Sequence, residues 1–330
     1  MKNLISVISF CLLFLFILFK MNEVLVDKSS NRYYILSKEL EKQNEIDVQI
    51  YGSCHAYTSF DALYFQETYK VSAYNMANPC EIIPATYLRM LERFQTDVPE
   101  VALVECWGVN AYETYIPTAD IMGGYLRSNI EDISFSKEKI ELINKYETLR
   151  ILEENLAAVK YKGRLLNGEL MPIDFHYSFN EACNTYNVDG GNWVYNEMKN
   201  RLSNNGYKRN SSNTILDYSS LQADIEAKDQ LAVEADIMEY IEKIIALCKA
   251  NDVTLIFYRA PYVSTENELR KVHYLENYFE QKELLFIDLE QEIVYDYSVD
   301  FYDYQHLSEY GAKKSTDYLG EIIINLAFFC

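Results

Sequence analysis

Apolar and polar residues alternate along Ile46-Asp-Val48-Gln-Ile50-Tyr51, the period of a strand, and Gly52-Ser53-Cys54-His55 follows at once. Further along, the period changes. Ile83, Tyr87, Met90, Leu91 and Phe94 recur at helical spacing within Ile82–Phe94. Ile237, Ile241, Ile244, Ile245 and Cys248 do the same within Asp229–Lys249. Short apolar runs at Val101–Val104, Val253–Phe257 and Leu284–Leu289 fit buried strands, and Val71–Tyr74 is a shorter candidate. Helices are also expected over Ala62–Thr68, Ser136–Lys160 and Lys313–Ile324. Strands separated by helices predict an α/β three-layer sandwich with a mostly parallel central sheet. Such sheets place active residues at the carboxyl ends of their strands. Gly52–His55, Glu105–Asn110 and Arg259–Tyr262 all stand at such ends.

Two segments depart from this rhythm. The run Leu4–Phe19, LISVISFCLLFLFILF, has no charge and lies between Lys2 and Lys20. At about 1.5 Å per residue it spans roughly 24 Å, a little short of a hydrocarbon core. It predicts one membrane helix, with residues 1–21 as anchor, 22–44 as a polar, partly helical stalk and 45–330 as the working domain. A cleaved signal peptide and a buried helix are the rival readings, and no Ala-x-Ala-like site follows the run. A single span places the protein in the cell membrane with its long remainder extracytoplasmic. The second departure runs from about 118 to 220. It holds Gly123-Gly124, Gly190-Gly191, Asn204-Asn205-Gly206 and Asn210-Ser-Ser-Asn213, and reads as an insertion over the active face.

Charge narrows the classes. Thirty basic residues against fifty acidic give a net charge of −20, and no basic cluster offers a nucleic acid a place to bind. Seven scattered cysteines contain no Cys-x-x-Cys pair, so neither a disulfide framework nor a zinc site is expected. No phosphate-binding glycine motif is present, and no cofactor or metal is expected. The twenty-nine tyrosines and sixteen phenylalanines fit core packing, and such rings also stack on sugars.

Chemistry concentrates in two places. Gly52 permits a tight strand-to-helix turn, and a helix start supplies free N–H groups beside Ser53 and Cys54. Near the other end, Asp303 stands three residues before His306, close enough for its carboxylate to orient the imidazole. Only four histidines exist: His55, His176, His273 and His306.

With these residues in view, the chain resembles the SGNH/GDSL hydrolase superfamily. It is most similar to a membrane-anchored branch near the D-alanine-transfer proteins and the polysaccharide O-acetyltransferases and esterases. Tyr51-Gly-Ser-Cys-His-Ala-Tyr-Thr-Ser-Phe-Asp61 resembles the first block, and Asp303-x-x-His306-Leu307-x-x-x-Gly311-Ala312-x-Lys314 the last. Leu255–Phe279 resembles that branch's strand, Pro-bearing loop and following helix. The resemblance implies a nucleophile at the third position of the first block. That position holds Cys54, where the family has serine, and Ser53 precedes it. Three alternatives stand: Cys54 attacks, Ser53 takes over, or the chain is a degenerate relative. Trp107-Gly108-Val109-Asn110 resembles the third block and makes Asn110 an oxyanion donor beside the Cys54 N–H, although Ala111 stands where aspartate is usual. The second block's glycine is missing, and Asn78 is the substitute donor there. His55, Glu105, Trp107, Arg259 and Tyr262 are candidate substrate contacts.

The expected reaction is hydrolysis or transfer of a small acyl group, acetyl first, on a cell-surface glycan through an acyl-enzyme. The alternative is a non-catalytic accessory or glycan-binding protein that assists a multi-pass membrane O-acyltransferase.

Overall fold

The strands follow the apolar runs. β1 (Val48–Tyr51), β2 (Ala73–Asn75), β3 (Val101–Glu105), β4 (Thr254–Arg259) and β5 (Leu285–Asp288) form one sheet in the order β2-β1-β3-β4-β5. The structure is a computed structural model that describes residues 2–25, 45–110, 129–130, 132–145, 199–211 and 229–328. All four strand pairings are parallel, with Val48 level with Val101 and Val101 level with Thr254. Parallel neighbours need crossovers, and helices supply them: α2 (Cys54–Ser59), α3 (Ala62–Tyr69), α4 (Ile83–Arg93), α6 (Ala235–Ala250) and α7 (Glu266–Gln281), while α8 (Leu289–Glu292) and α9 (Glu309–Ile323) follow the last strand. α1 (Lys2–Leu25) precedes them, and α5 (Lys137–Lys145) follows β3.

Side-chain alternation along each strand makes two cores. Val48, Ile50, Val101, Leu103, Ile256 and Tyr258 face α2, α3 and α9. Tyr51, Ala102, Val104 and Phe257 face α4, α6 and α7. This is a three-layer sandwich of flavodoxin-like strand order. From β1 the chain moves outward to β2 and then returns to β3 on the other side. That reversal leaves a crevice at the carboxyl ends of β1 and β3, where ligands enter such sheets.

The boundaries differ from expectation for local reasons. β1 begins at Val48 because the amides of Glu45 and Ile46 donate to the Asp97 carboxylate instead of a neighbouring strand. α6 begins at Ala235, six residues late, because the preceding segment runs along α7: the Leu231 amide donates to the Arg270 carbonyl, and Lys271 pairs with Glu234. α9 begins early, at Glu309, because the Ser308 hydroxyl accepts from the amides of Tyr310 and Gly311. The expected helix Ser136–Lys160 is described as α5, and its later part lies outside the described residues. So do His176, the stalk beyond Leu25 and most of the 118–220 insertion. One described part of that insertion lies against β2: Asn205 accepts from the Asn75 amide, and buried Arg201 donates to the carbonyls of Ala77 and Gly206.

Side chains of α1 are described over residues 5–17, and all are exposed. Among the described residues, no helix is long and apolar enough to cross a membrane. The expected span therefore stays an expectation.

Gly311 fixes how α9 meets the loop before it. A Cβ there would lie 2.3 Å from the Asp300 carbonyl oxygen and 2.9 Å from Leu307 Cδ2. Backbone cannot yield as a flexible side chain can, so Gly311→Ala is expected to cost about 1–3 kcal/mol. Urea unfolding should show a lowered midpoint. An unchanged midpoint would mean that the contact is looser than drawn.

Candidate active site

The turn that carries Ser53 and Cys54 begins where β1 ends. Gly52 has φ +132, and a Cβ on it would lie 2.7 Å from Glu105 Cβ on the neighbouring strand. No other residue fits both the conformation and the close approach. Ser53 then caps α2: its extended backbone lets its Oγ accept from the His55 amide at 3.2 Å. Cys54, the first residue of α2, is half-buried. Its backbone N–H belongs to the group that a helix start leaves without intrahelical partners.

The same geometry separates Ser53 from Cys54. Ser53 is 0% exposed, and its hydroxyl donates to Glu105 Oε2 at 2.8 Å. Glu105 Oε2 also faces the Ser53 amide at 3.4 Å, and Oε1 accepts from the Trp107 amide at 2.7 Å. Burial pushes the Glu105 carboxyl up to about 7, against the opposing pull of these hydrogen bonds and of the Arg259 charge. Ser53 is thus committed to holding the turn, while the Cys54 sulfur stands at its mouth.

The second turn comes from the C-terminal segment. An antiparallel bridge pairs Phe301 with Leu307, and the Tyr302 amide donates to the His306 carbonyl at 2.9 Å. This closes a loop with Asp303, Gln305 and His306 on it. His306 Nδ1 lies 2.9 and 3.0 Å from the two Asp303 carboxylate oxygens. The Gln305 amide donates to Asp303 Oδ1 at 2.8 Å and holds that carboxylate in place. Cys54 is the second group that acts on this imidazole, and its sulfur lies 3.9 Å from His55 Nδ1. Burial works to lower the His306 pKa, but the hydrogen bonds to Asp303 and Cys54 and their charges outweigh it, and the ring rises to about 9. Asp303 shows the reciprocal effect. Burial would raise its pKa, yet His306 holds it below the usual carboxylate range.

The structure brings several other candidates to this place. The His55 ring lies between three others: Tyr262 at 4.7 Å, Trp107 at 5.1 Å and His306 at 5.6 Å between centroids. Its Nε2 lies 3.2 Å from Gln305 Oε1. Asn110 Nδ2 donates to the Tyr262 hydroxyl at 3.0 Å, and its buried Oδ1 has no protein partner. An amide turned by half a circle would accept from that hydroxyl and present Nδ2 in place of the unpartnered oxygen. Asn110 therefore has a donor to offer an oxyanion.

Asn78 has none to spare. Its Nδ2 faces the Glu81 carboxylate at 3.0 Å and the Met76 carbonyl at 3.5 Å, and turning the amide would set oxygen against carboxylate. Arg259 is also committed. Its buried guanidinium holds Asp288 at 2.9 Å, Glu290 at 2.6 Å and Ser264 at 2.7 Å, which leaves it inside the fold rather than open to a substrate carboxylate. Glu105 and Trp107 are buried as well, so both build the turn. Gln305 was not among the expected residues, although its position between Asp303 and His306 was the available signal.

Comparison with known proteins adds little. No family model matches the chain, and no curated protein matches it. Among solved structures it is similar to a protein described as lipolytic and of the G-D-S-L family, from Desulfitobacterium hafniense DCB-2. The TM-score is 0.39 at 10% identity, over 84% of this chain and 99% of that one. A likeness of that size carries no argument about activity, and the functional reading rests on the residues themselves.

The His306 shift has a consequence for stability. Its folded pKa of about 9 stands above the ordinary 6.5. The stabilisation from its charged contacts is then full below about pH 6.5 and is lost as pH rises through about 9. Denaturant unfolding at pH 6, 7.5 and 9.5 should show that decline in the wild type and a flatter profile in His306→Gln. Equal slopes in the two proteins would remove the assigned shift.

Proposed function

We propose that this chain is a cysteine-dependent esterase or O-acyltransferase of the SGNH/GDSL type, acting through a thioester. One observation carries the reading: the His306 imidazole, its Nδ1 held by Asp303, faces His55 at the start of α2, and Cys54 beside it raises that ring's pKa. A ring that keeps its proton to about pH 9 is an imidazolium at neutral pH. The proposed nucleophile is the Cys54 thiolate paired with that imidazolium.

In the first half-reaction the Cys54 sulfur attacks the acyl carbonyl carbon, and the carbonyl π pair moves to oxygen. The Cys54 N–H and the Asn110 amide meet that oxyanion. The intermediate collapses, the ester C–O bond breaks, and His306 Nε2 gives its proton to the departing alkoxide. An alcohol leaves, and the acyl group remains on sulfur. In the second half-reaction the neutral His306 ring takes a proton from water or an acceptor hydroxyl as that oxygen attacks the thioester. Collapse expels the thiolate and restores the ion pair. Asp303 steadies the charged ring at each stage. Water as acceptor makes the protein an esterase, and a sugar hydroxyl makes it a transferase.

The proposed substrate is an acyl ester, acetyl first, of a cell-surface glycan. The resemblance of the first and last motifs to the polysaccharide-modifying branch supports this. The uncharged Leu4–Phe19 run supports a single membrane anchor that keeps the site outside the cell, near such a glycan or a multi-pass O-acyltransferase.

Assays of the full chain with acetyl esters test the chemistry. Cys54→Ala and His306→Ala should each lower kcat/KM by about 1,000-fold or more, whereas Cys54→Ser keeps measurable turnover. Mass spectrometry should find an acetyl group on Cys54 of the wild type. A Cys54→Ala protein with full activity would end the acyl-enzyme reading. Absence of both turnover and adduct across esters and glycan acceptors would favour the accessory role.

Placement needs a separate experiment. Protease added to intact cells should digest residues 45–330 and leave a membrane-bound N-terminal fragment. A chain that fractionates with the cytosol would refute the anchor.

A further inference from the structure

Glu105 is buried, charged by nature and not used in the chemistry above. Its Oε2 accepts from Ser53 Oγ at 2.8 Å, Ser53 Oγ lies 3.0 Å from His55 Nδ1, and His55 Nε2 lies 3.2 Å from Gln305 Oε1. Gln305 in turn donates its backbone N–H to Asp303. A second hydrogen-bonded line therefore runs beside the line Asp303–His306–Cys54 and joins the same two turns. We infer that Glu105 is a positioning residue of this site: through Ser53 it sets which nitrogen of His55 carries the proton, and His55 ties the Asp303–His306 turn to the nucleophile's turn. The inference rests on the proposed cysteine chemistry for its purpose, but not for its geometry.

The proton count forces the coupling. Ser53 has one hydroxyl proton, and its oxygen already accepts from the His55 amide. When Glu105 is a carboxylate, that proton goes to Glu105, and Ser53 can only accept from His55 Nδ1–H. In a ring carrying one proton, Nε2 is then bare and takes a hydrogen bond from the Gln305 side-chain NH2, with that amide turned. When Glu105 is protonated, its O–H donates to Ser53, and Ser53 donates to Nδ1. The ring proton then sits on Nε2 and is donated to Gln305 Oε1, the atom 3.2 Å from it. Each state pairs every group along the line, so each is a complete network.

Other charged and titratable groups press on the same line. Arg259 and Tyr258 of β4, Tyr262 behind the ring and Cys106 beside Glu105 all act on the carboxyl or feel it. Cys54 Sγ lies 3.9 Å from His55 Nδ1, and the His306 ring faces His55. Arg259 is fixed by Asp288 and Glu290, so its contribution does not change across neutral pH. Burial raises Glu105 to about 7, which puts its exchange of states in an accessible range.

Nitrogen NMR of the full chain labelled only in histidine can read this, because there are four histidines. A His55→Asn protein assigns the His55 signal. In the wild type, the His55 nitrogen shifts should move from one tautomer to the other with a midpoint near pH 7. Ser53→Ala cuts the line and leaves the carboxylate in place, and Glu105→Gln removes its titration. Both variants should lose that midpoint while His306 still titrates near 9, which also shows that the turns are folded. Should Glu105→Gln fail to fold, Ser53→Ala decides alone. As a second reading, the rate of Cys54 alkylation by iodoacetamide should show a step near pH 7 in the wild type and none in either variant. A step and a His55 midpoint that persist in Ser53→Ala would overturn the inference. Neither readout needs ester turnover, so an inactive wild type would defeat the proposed function and leave this question answered separately.

Discussion

Glu105 ends β3 with its carboxylate wholly inside the protein, where an ionised group is costly unless donors surround it. Three donors do so: the Ser53 hydroxyl, the Ser53 amide and the Trp107 amide. They come from both sides of the point where β1 and β3 part. The carboxylate therefore binds the turn of Ser53 and Cys54 to the loop that carries Trp107 and Asn110. Gly52 permits this, because a Cβ there would occupy the space of Glu105 Cβ. The parallel pairing of Tyr51 with Val104 brings the two strand ends level, and the buried acid uses that alignment.

The other half of the site depends on α9 rather than on the sheet. Ser308 caps that helix, and its hydroxyl also donates to the Val299 carbonyl at 2.7 Å. Gly311 lets the helix start press against Asp300. The loop 301–307 is thus held at its base, and its tip carries Asp303, Gln305 and His306. Because α9 packs with α2 and α3 in one core, the loop reaches Cys54 from the side of the helix that Cys54 begins. Packing of apolar faces thus places His306, and hydrogen bonds to Asp303 set its final orientation.

A thiol at this position changes the electrostatics of the familiar triad arrangement. A serine hydroxyl stays neutral until it is attacked by its base, and the histidine waits unprotonated. Here the ring keeps its proton to about pH 9. In the proposed chemistry that proton is the one given to the leaving alkoxide. Asp303 takes part in both arrangements in the same way, since it needs only to face Nδ1.

The sequence carried the elements whose signal is periodic. β1, α4 and α6 repeat at two or 3.6 residues for long enough to be read, and β3 and β4 stand out as short apolar runs. Asp303 and His306 were legible together because three residues of local chain suffice to join them. The start of α2 was legible from the Gly52 turn, but not its length, since six residues make less than two turns and show no stripe. Nor was the structural role of Arg259 or Glu105. A charged residue at the end of an apolar run looks the same in sequence whether it faces substrate or is enclosed by Asp288 and Glu290. The union of Cys54 with His306, and of His55 with Gln305 across 250 positions, belongs to tertiary structure alone. Local chain preferences act over a few residues, while the order of strands and the packing of α9 decide which distant turns meet.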